Sequence, residues 1–339
     1  MKVTKGYKEL VPGVLVVAAL TSLAWGLAQS SILRRYGVSP LTLAIIFGAL
    51  LGNTFPVVGR QRFRPGLAIA QRYLLRAGVA LYGFNLSLQQ IVQVGSTGIL
   101  VDVVMVVSTL AMGVFIGRRL LGMDAETVLL TSAGSAICGA AAVVATVPLL
   151  RSEQSAAVAA KSAVAVATVV LFGSLSMLLY PVLHTWLGHV PFDFGIYIGS
   201  TVHEVAQVVA IGSTLGETVV DSAVIVKMIR VMLLVPFLLI VGFYFGGGGA
   251  GGRRSVPIPW FAVLFVALAA VNSLHILPPA VVEALRLTAV LLLTTAMASL
   301  GIDTTFARMR QAGARPVLLG AGLFVHLVCF GGLVNWLAA

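Results

Sequence analysis

The strongest constraint in this sequence is a succession of apolar segments, most of them long enough to cross a lipid bilayer as a helix. Hydrophobic residues make up 59% of the chain and charged residues only 10%, against roughly a quarter charged in soluble domains. These features predict an all-α, polytopic membrane protein with about 10–11 transmembrane helices. The eleven apolar segments lie at residues 11–29, 41–55, 66–86, 98–117, 128–150, 156–180, 195–215, 219–245, 259–274, 283–301 and 316–337.

The basic residues indicate the orientation of the chain. The net charge is +11, but Lys and Arg lie mainly in short loops between apolar segments, where they set topology and do not indicate nucleic-acid binding. Most of these Lys and Arg residues lie on the inside if the N-terminus is cytoplasmic, and Arg34, Arg35 and Arg151 are the exceptions. The excess on one side predicts an inner-membrane protein with a cytoplasmic N-terminus. The groups that this orientation places inside are Lys2, Lys5, Lys8, Arg60, Arg62, Arg64, Arg118, Arg119, Arg253, Arg254, Arg308, Arg310 and Arg315.

The sequence offers no motif for a cofactor. Cys138 and Cys329 lie in apolar segments without metal-ligand spacing. The glycine-rich stretch 246–252 lacks the lysine and the serine or threonine of a phosphate-binding loop. We interpret it as a flexible linker inside a single membrane domain, 1–339.

Two polar-centred segments are predicted to be interrupted helices. Gly-Ser-Ala-Ile-Cys-Gly-Ala-Ala-Ala-Val-Val-Ala at 134–145 aligns without a gap with Gly-Ser-Thr-Val-His-Glu-Val-Ala-Gln-Val-Val-Ala at 199–210, and six of twelve positions are identical. Discontinuous membrane helices of this kind line the substrate sites of secondary transporters. Their loosened backbone is tolerated only where protein or water covers it.

A second similarity predicts inverted repeats. Residues 83–95 align with 301–313, with glycine at 83/301 and 95/313 and glutamine at 93/311. These stretches belong to the third and tenth segments, which cross in opposite directions, as in several transporter folds. The two interrupted segments instead run in the same direction on this count. Either a crossing between 180 and 195 is miscounted, or their similarity is convergent packing of small residues.

His203, Glu204 and Gln207 are the polar centre of the second segment. Buried ionisable residues in membranes are costly and usually functional. The alternative is that His203 and Glu204 merely satisfy each other or a neighbouring backbone break. The pattern also comes close to the zinc-protease motif, but an intramembrane metalloprotease needs a second histidine where Gln207 stands. An amide oxygen is a poor zinc ligand beside imidazole.

Lys227 and Arg230 are the cations of the following segment. They are three residues apart and therefore share a helical face. They could neutralise an anionic substrate or pair with Glu204 in its absence, although snorkelling to the interface is a competing interpretation. Lys161, in the sixth segment, is a weaker candidate of the same kind.

The Gly134-Ser135 and Gly199-Ser200 steps are expected to let each helix break and expose backbone amides, which attract anions. Close packing of small residues is the competing explanation. His203 and Glu204 are predicted to couple transport to an ion. The predicted substrate-binding residues are Gly134, Ser135, Cys138, Gly139, Ser200, Thr201, His203, Gln207, Lys227 and Arg230.

Five segments together carry a family resemblance. They are Leu-Tyr-Gly-Phe-Asn-Leu-Ser at 81–87, Gly-Ser-Ala-Ile-Cys-Gly-Ala at 134–140, Val-His-Glu-Val-Ala-Gln-Val-Val-Ala at 202–210, Val-Lys-Met-Ile-Arg-Val-Met-Leu-Leu-Val-Pro at 226–236 and Gly-Ile-Asp-Thr at 301–304. Over nearly the whole chain, this set resembles the YeiH-type family, whose predicted role is sulfate export. The resemblance implies an NhaA-like fold with crossed, broken helices, shared by cation–proton antiporters and by anion or bile-acid transporters. The chain departs at residues 134–136, where the family is expected to carry threonine and serine more often.

The expected function is secondary transport of a small oxyanion such as sulfate or a sulfonate, and not an enzymatic activity. The first alternative is a cation–proton antiporter with Glu204 as its exchanging acid, although no Asp-Asp or Asn-Asp pair accompanies the break. A receptor or scaffold role and the metalloprotease are further candidates. The expected partners are the anion, a coupling proton or sodium ion and the lipid bilayer, and the sequence leaves a homodimer open.

Overall fold

A computed structural model describes residues 2–30, 39–59, 61–150, 156–187, 190, 192–245, 260–307, 310 and 313–339, and this part of the chain is almost entirely helical. Its α-helices are α1 Lys2–Ala28, α2 Pro40–Thr54, α3 Arg64–Ile69, α4 Leu75–Leu81, α5 Leu88–Val114, α6 Ala125–Ala136, α7 Ala140–Thr146, α8 Ala156–Leu187, α9 Phe194–Thr201, α10 Val205–Leu215, α11 Glu217–Met232, α12 Leu234–Phe245, α13 Trp260–Ser273, α14 Pro279–Asp303 and α15 Ala314–Leu337. A π-helical turn, Ala70–Leu74, joins α3 to α4. The glycine-rich stretch 246–252 lies outside the described residues.

The predicted all-α membrane protein is confirmed. Six helical stretches of the described chain are long and apolar enough to cross a membrane, and three shorter apolar helices accompany them. Each of the eleven apolar segments is mainly helical. The six long stretches are Glu9–Ala28, Gly95–Leu120, Ala160–Leu187, Glu217–Phe243, Pro279–Asp303 and Ala314–Leu337.

One predicted boundary is wrong. The sixth apolar segment ends at residue 180 in the sequence, and Pro181 predicts that a loop with His184 and His189 follows, whereas α8 continues through Pro181 to Leu187. A proline lacks the N–H that bonds one turn back, but membrane helices tolerate it where neighbouring groups satisfy the freed backbone. His189 lies outside the described residues.

The chain forms two compact units, each built from several stretches of sequence. The first unit comprises Met1–Gln93, Val209–Asp221 and Phe261–Phe306. The second comprises Val94–Val208, Ser222–Trp260 and Ala307–Ala339. The first polar-centred segment, residues 199–208 of the second, and Lys227 and Arg230 belong to the second unit.

In the first unit, α2 and α14 cross at glycines. A Cβ on Gly48 would meet the backbone of Ala298 and Ile302, and a Cβ on Gly301 would meet the backbone of Ile45 and Ala49. The two backbones are therefore almost in contact. This small-residue interface is typical of membrane helices, where close packing replaces the hydrophobic effect.

In the second unit, α15 packs closely against α8 and α9. A Cβ on Gly320 would meet the side chains of Thr168 and Phe172 on α8, and a Cβ on Gly331 would meet Thr201 on α9. The phenyl ring of Phe172 also lies 5.6 Å from that of Phe324, measured between centroids. These contacts hold the end of α9, where the second polar segment begins.

Two glycines aligned in the second sequence similarity share an unusual backbone conformation. Gly95 has a φ of 51° and Gly313 a φ of 83°, a region that favours glycine. Gly313 directly precedes α15, and Gly95 begins the apolar stretch that ends at Leu120. The identity at 95/313 therefore has a backbone reason, while the inverted repeat itself stays a prediction.

Candidate functional site

The first polar segment contains a helix break at residues 137–139. Helix α6 ends at Ala136, Ile137 leaves the helical region with a φ of −118° and a ψ of −85°, and α7 begins at Ala140. Gly139 has a φ of 70°. A residue with a side chain rarely adopts this conformation, so Gly139 determines where the helix breaks.

The second polar segment breaks at residues 202–204. Helix α9 ends at Thr201, Val202 is extended, and α10 begins at Val205. The side-chain oxygen Oε1 of Gln207 accepts a hydrogen bond from the backbone N–H of Glu204 at 3.1 Å. Gln207 thus satisfies a free amide at the start of α10, as side chains at helix N-termini commonly do.

The predicted position of both breaks is wrong by about three residues. Gly134 and Gly199 are helical, and both are close-packing residues: a Cβ on Gly134 would lie 2.7 Å from a methyl group of Val169, and one on Gly199 would lie 2.8 Å from Cβ of Val226. The helix ends beside Ser135 and Ser200 are therefore C-terminal ends. They present carbonyl oxygens and not the amides that the sequence suggested.

Lys227 binds the carbonyl ends of both half-helices. Its Nζ donates hydrogen bonds to the carbonyl oxygens of Ile137 and Val202, each at 2.7 Å. Its side chain, on α11, is 0% exposed. A cation at a helix C-terminus is stabilised by the dipole and by the unpaired carbonyl groups there, and here one ammonium serves two such ends.

Arg230 makes a second bridge between the same two ends. Its Nε donates to the carbonyl oxygen of Ala136 at 2.5 Å, one terminal nitrogen donates to that of Ser135 at 3.1 Å, and the other donates to that of Ser200. Arg230 is also 0% exposed. The planar guanidinium presents N–H groups in several directions and so reaches three carbonyls at once.

Glu204 connects the second break to the first. Its Oε1 accepts a hydrogen bond from the backbone N–H of Ala140 at 3.2 Å. A Cβ on Gly139 would lie 2.6 Å from the same oxygen. The side chain of Glu204 therefore occupies space that exists only because residue 139 is a glycine.

Several buried polar atoms of this unit have no hydrogen-bond partner among the described residues. They include both ring nitrogens of His203, the hydroxyl of Ser135 and Nε2 of Gln207. Burying a polar group without a partner is costly, so such groups usually have a ligand, a water or a functional role. The others in the second unit are on Asp102, Thr109, Thr131, Ser132 and Ser174.

Ser200 and Thr201 are satisfied by protein groups. The Ser200 hydroxyl donates to the carbonyl oxygen of Tyr197 at 3.2 Å and lies 3.3 Å from Nδ2 of Asn335. The Thr201 hydroxyl accepts a bond from Tyr180 at 2.7 Å. Both residues therefore lie in a bonded network between α8, α9 and α15.

All of the predicted site residues belong to the second unit, at the two breaks or on the helix turns beside them. The structure joins Lys227 and Arg230 to both breaks and Glu204 to the first, while Cys138 is a buried thiol inside the first break. Whether these residues contact a substrate stays a prediction.

Lys161 is not part of this group. Its Nζ lies 2.8 Å from a carboxylate oxygen of Asp124 and 2.9 Å from one of Glu126, and it ties the start of α8 to that of α6. Partial burial acts to raise the pKa of the Asp124 carboxyl, but hydrogen bonds from Lys161 and Thr127 outweigh it and lower this pKa to about 2.

Sequence reasoning missed two residues of this site. Asp102 on α5 is 0% exposed and interacts electrostatically with Arg230 and Lys227. Its signal was present, because it is the one charged residue in the apolar segment 98–117. Gly173 on α8 had no such signal: a Cβ there would lie 2.5 Å from Nε2 of Gln207, a contact that only the folded chain reveals.

The metalloprotease geometry does not form. His203 lies in the break before α10 begins, so His203 and Gln207 do not lie one turn apart on a helix as zinc ligands of that motif do. The side-chain amide oxygen of Gln207 is hydrogen-bonded to the backbone N–H of Glu204. Within the described ranges, no group of three or more His, Cys, Asp or Glu residues could hold a metal ion.

Comparison with known proteins identifies the family. A family model described as "Conserved hypothetical protein 698" matches residues 12–320. A UPF0324 membrane protein of Bordetella pertussis is 48% identical over 334 residues, which cover 96% of this chain and 94% of that protein. The UPF0324 inner membrane protein YeiH of Salmonella typhimurium is 44% identical over the same coverage of both chains.

Among solved structures, the sodium proton antiporter MjNhaP1 of Methanocaldococcus jannaschii aligns over 96% of this chain and 98% of its own, with 13% identity and a TM-score of 0.33. A likeness of that size carries no argument about function. The relatives over almost the full length confirm the resemblance to the YeiH-type family. The chain therefore belongs to the family of UPF0324 membrane proteins, described as "Conserved hypothetical protein 698".

Proposed function

We propose that this protein is a secondary active transporter of a small oxyanion, with sulfate as the first substrate to test. The observation that carries the proposal is the pair of fully buried cations, Lys227 and Arg230, which are bonded to both helix breaks. Ionisable residues at membrane depth are rare and mark substrate or ion pathways. Helix breaks in membrane proteins are found where such pathways run.

The two cations retain donors for an anion. An arginine has five N–H donors and a lysine three. Arg230 uses three of its donors on carbonyl oxygens and Lys227 uses two, so two remain on Arg230 and one on Lys227. Together with the unpartnered hydroxyl of Ser135 and the ring of His203, these donors suit the several acceptor oxygens of sulfate or a sulfonate.

Glu204 is the group that we expect to couple transport to protons. It is buried at the second break and holds a backbone amide of the first, so a change in its charge acts on both breaks. His203 is the second candidate, because its buried ring nitrogens have no partner in the described structure.

The alternative is a cation–proton antiporter. A cation needs carboxylate oxygens, and the sequence offered only Glu204 in a break. The unpartnered carboxylate of Asp102 adds a second buried acid to the same unit and favours this alternative. The positive charges of Lys227 and Arg230 disfavour it, because they repel a cation from the same place.

The cellular location and the orientation of the chain are part of the same proposal. The relative YeiH carries the description of an inner membrane protein. We assign this chain to the inner membrane with its N-terminus in the cytoplasm, because that orientation places most of the loop arginines and lysines on the inside.

The test is uptake of labelled sulfate into proteoliposomes, with and without an imposed pH gradient. We expect gradient-driven flux for the wild type, a weaker gradient dependence in Glu204→Gln, and no effect of Glu283→Gln, which makes the same change at an exposed position. An absence of sulfate flux with sodium-dependent proton movement would replace the proposal by the antiporter. Unchanged flux in Glu204→Gln would remove Glu204 as the coupling residue.

A further inference from the structure

Asp102 is a buried carboxylate about two turns from the start of the membrane-length stretch Gly95–Leu120. It lies on α5, is 0% exposed, and neither of its carboxylate oxygens has a hydrogen-bond donor among the described residues. Its charge interacts with those of Arg230 and Lys227 on α11. A carboxylate in such a place is expensive to keep ionised and is usually functional.

The charges buried around the two breaks balance. Arg230 is always protonated, and the two carbonyl oxygens bonded to Lys227 favour its ammonium form. Glu204 and Asp102 are the two buried acids beside these two cations, and the four charges cancel when both acids are ionised. The cations disfavour a third positive charge on His203, which therefore counts as neutral.

An oxyanion that enters this balanced group brings charge that nothing buried compensates. Taking an uncompensated charge out of water costs several kcal/mol even after the protein relaxes. Protons arriving at Glu204 and Asp102 would remove this cost. Each converts a carboxylate to a neutral acid, and one divalent anion with two protons leaves the total charge unchanged.

We propose that Asp102 is a second proton-carrying residue, and that Glu204 and Asp102 each take up one proton when a divalent oxyanion binds. This inference rests on the proposed transport of an oxyanion. The reaction conserves charge: two carboxylates, two protons and the dianion become two carboxylic acids and the bound dianion. Release of the anion on the opposite side returns both protons to water.

Other titratable groups of this unit lie near these buried acids and cations. On α8 and α9, Tyr180 and Tyr197 form the aromatic pair behind Thr201. Cys138 interacts with Lys227 at the first break. His326 on α15 lies 3.2 Å from the hydroxyl of Ser108, further along the helix that carries Asp102. None of these groups adds a charge to the balance.

The deciding measurement is proton uptake when sulfate binds to the purified protein in weakly buffered detergent solution, followed with a pH indicator. We expect about two protons per sulfate for the wild type and about one for Asp102→Asn, as charge balance requires. Glu283→Gln should behave as the wild type, and Asp102→Glu, which keeps the carboxyl group, should stay near two. Sulfate binding without proton uptake, or equal uptake in Asp102→Asn and the wild type, would overturn the role of Asp102 while leaving the transport proposal intact.

Flux in proteoliposomes gives a second, independent readout. A pH gradient of one unit should support a sulfate concentration ratio of about 100 if two protons move with each sulfate ion, and about 10 if one does. Each proton moved contributes a factor of ten per pH unit. Wild-type transport should also ignore an imposed membrane potential, whereas transport by Asp102→Asn should respond to it. If the wild type neither binds nor moves sulfate, the proposed function fails for this substrate, and the inference resting on it fails as well.

Discussion

At the scale of single residues, the site depends on a glycine as much as on its charged groups. Gly139 combines a φ of 70° with a position where a Cβ would meet Oε1 of Glu204 at 2.6 Å. With a ψ of −138°, Gly139 lies in a region that is essentially restricted to glycine, so replacement by alanine should cost about 1–3 kcal/mol through the backbone alone. The displaced Glu204 side chain should also lose its bond to Ala140, so Gly139→Ala should lower thermal stability and weaken the pH dependence of sulfate flux.

Gly122→Ala is the matched control for this substitution. Gly122 has a similar φ of 60°, but nothing lies within 4 Å of the position of its Cβ. The difference between the two variants in melting temperature and in flux therefore shows how far the effect at Gly139 exceeds that of a positive φ without a neighbouring side chain. Equal effects of both variants would show that only the backbone conformation matters at Gly139.

The sequence was a good guide to which polar residues lie together at the two breaks and a poor guide to what they touch. His203, Glu204, Lys227 and Arg230 could be predicted because a charged or polar group in an apolar segment is conspicuous. Asp102 stands out by the same rule and was missed because its segment carries no motif. The partners could not be predicted, because Arg230 bonds to backbone carbonyls more than 90 residues away. Every residue has such a carbonyl, so the residue type gives no signal.

At the scale of helices, α6 and α9 are coupled through their C-terminal ends. Arg230 donates to Ser135 and Ala136 on the first helix and to Ser200 on the second. Arg230→Lys keeps the charge but cannot place donors on three carbonyls, and each charged hydrogen bond lost is worth about 1.5–3 kcal/mol. We therefore expect amide hydrogen exchange at residues 134–139 and 200–204 to rise by about 10–150-fold, the factor that corresponds to about 1.5–3 kcal/mol at 1.36 kcal/mol per factor of ten.

Arg286→Lys provides the comparison for this variant. The Nε of Arg286 makes a hydrogen bond to the carbonyl oxygen of Phe84 in the first unit, at 2.8 Å. Arg286→Lys should leave amide hydrogen exchange at both breaks unchanged. Exchange that rises at only one of the two breaks in Arg230→Lys would contradict the bridge.

The existence of the two interrupted helices could be predicted from sequence, but their geometry could not. The glycine-serine steps suggested the break, yet Gly134 and Gly199 are needed for close packing inside intact helices. Gly139 gives the break its conformation in the first segment, whereas the second breaks without a glycine at 202–204. Sequence alone does not distinguish a glycine used for packing from one used for a positive φ.

At the scale of the whole molecule, the apolar segments determine the class of the protein, and the loop charges predict its orientation. Five segments separate residues 125 and 276: the two interrupted helices, α8, the pair α11 and α12, and α13. An odd number of crossings places these two residues on opposite sides of the membrane. Arg118 and Arg119 lie shortly before Ala125 in the sequence. The positive-inside rule therefore predicts that Ala125 is in the cytoplasm and Ile276 is outside.

Cysteine labelling in intact cells tests this orientation. In a background with Cys138→Ala and Cys329→Ser, Ile276→Cys should react with a membrane-impermeant maleimide at once, because the native side chain is 68% exposed. Ala125→Cys, also at an exposed position, should react only after the membrane is permeabilised. Labelling of both residues from the same side would mean that one of the five segments between them turns back without crossing. If that segment is the first interrupted helix, α6 and α9 enter the membrane from opposite sides, which would also resolve the conflict between their similarity and the count of eleven crossings.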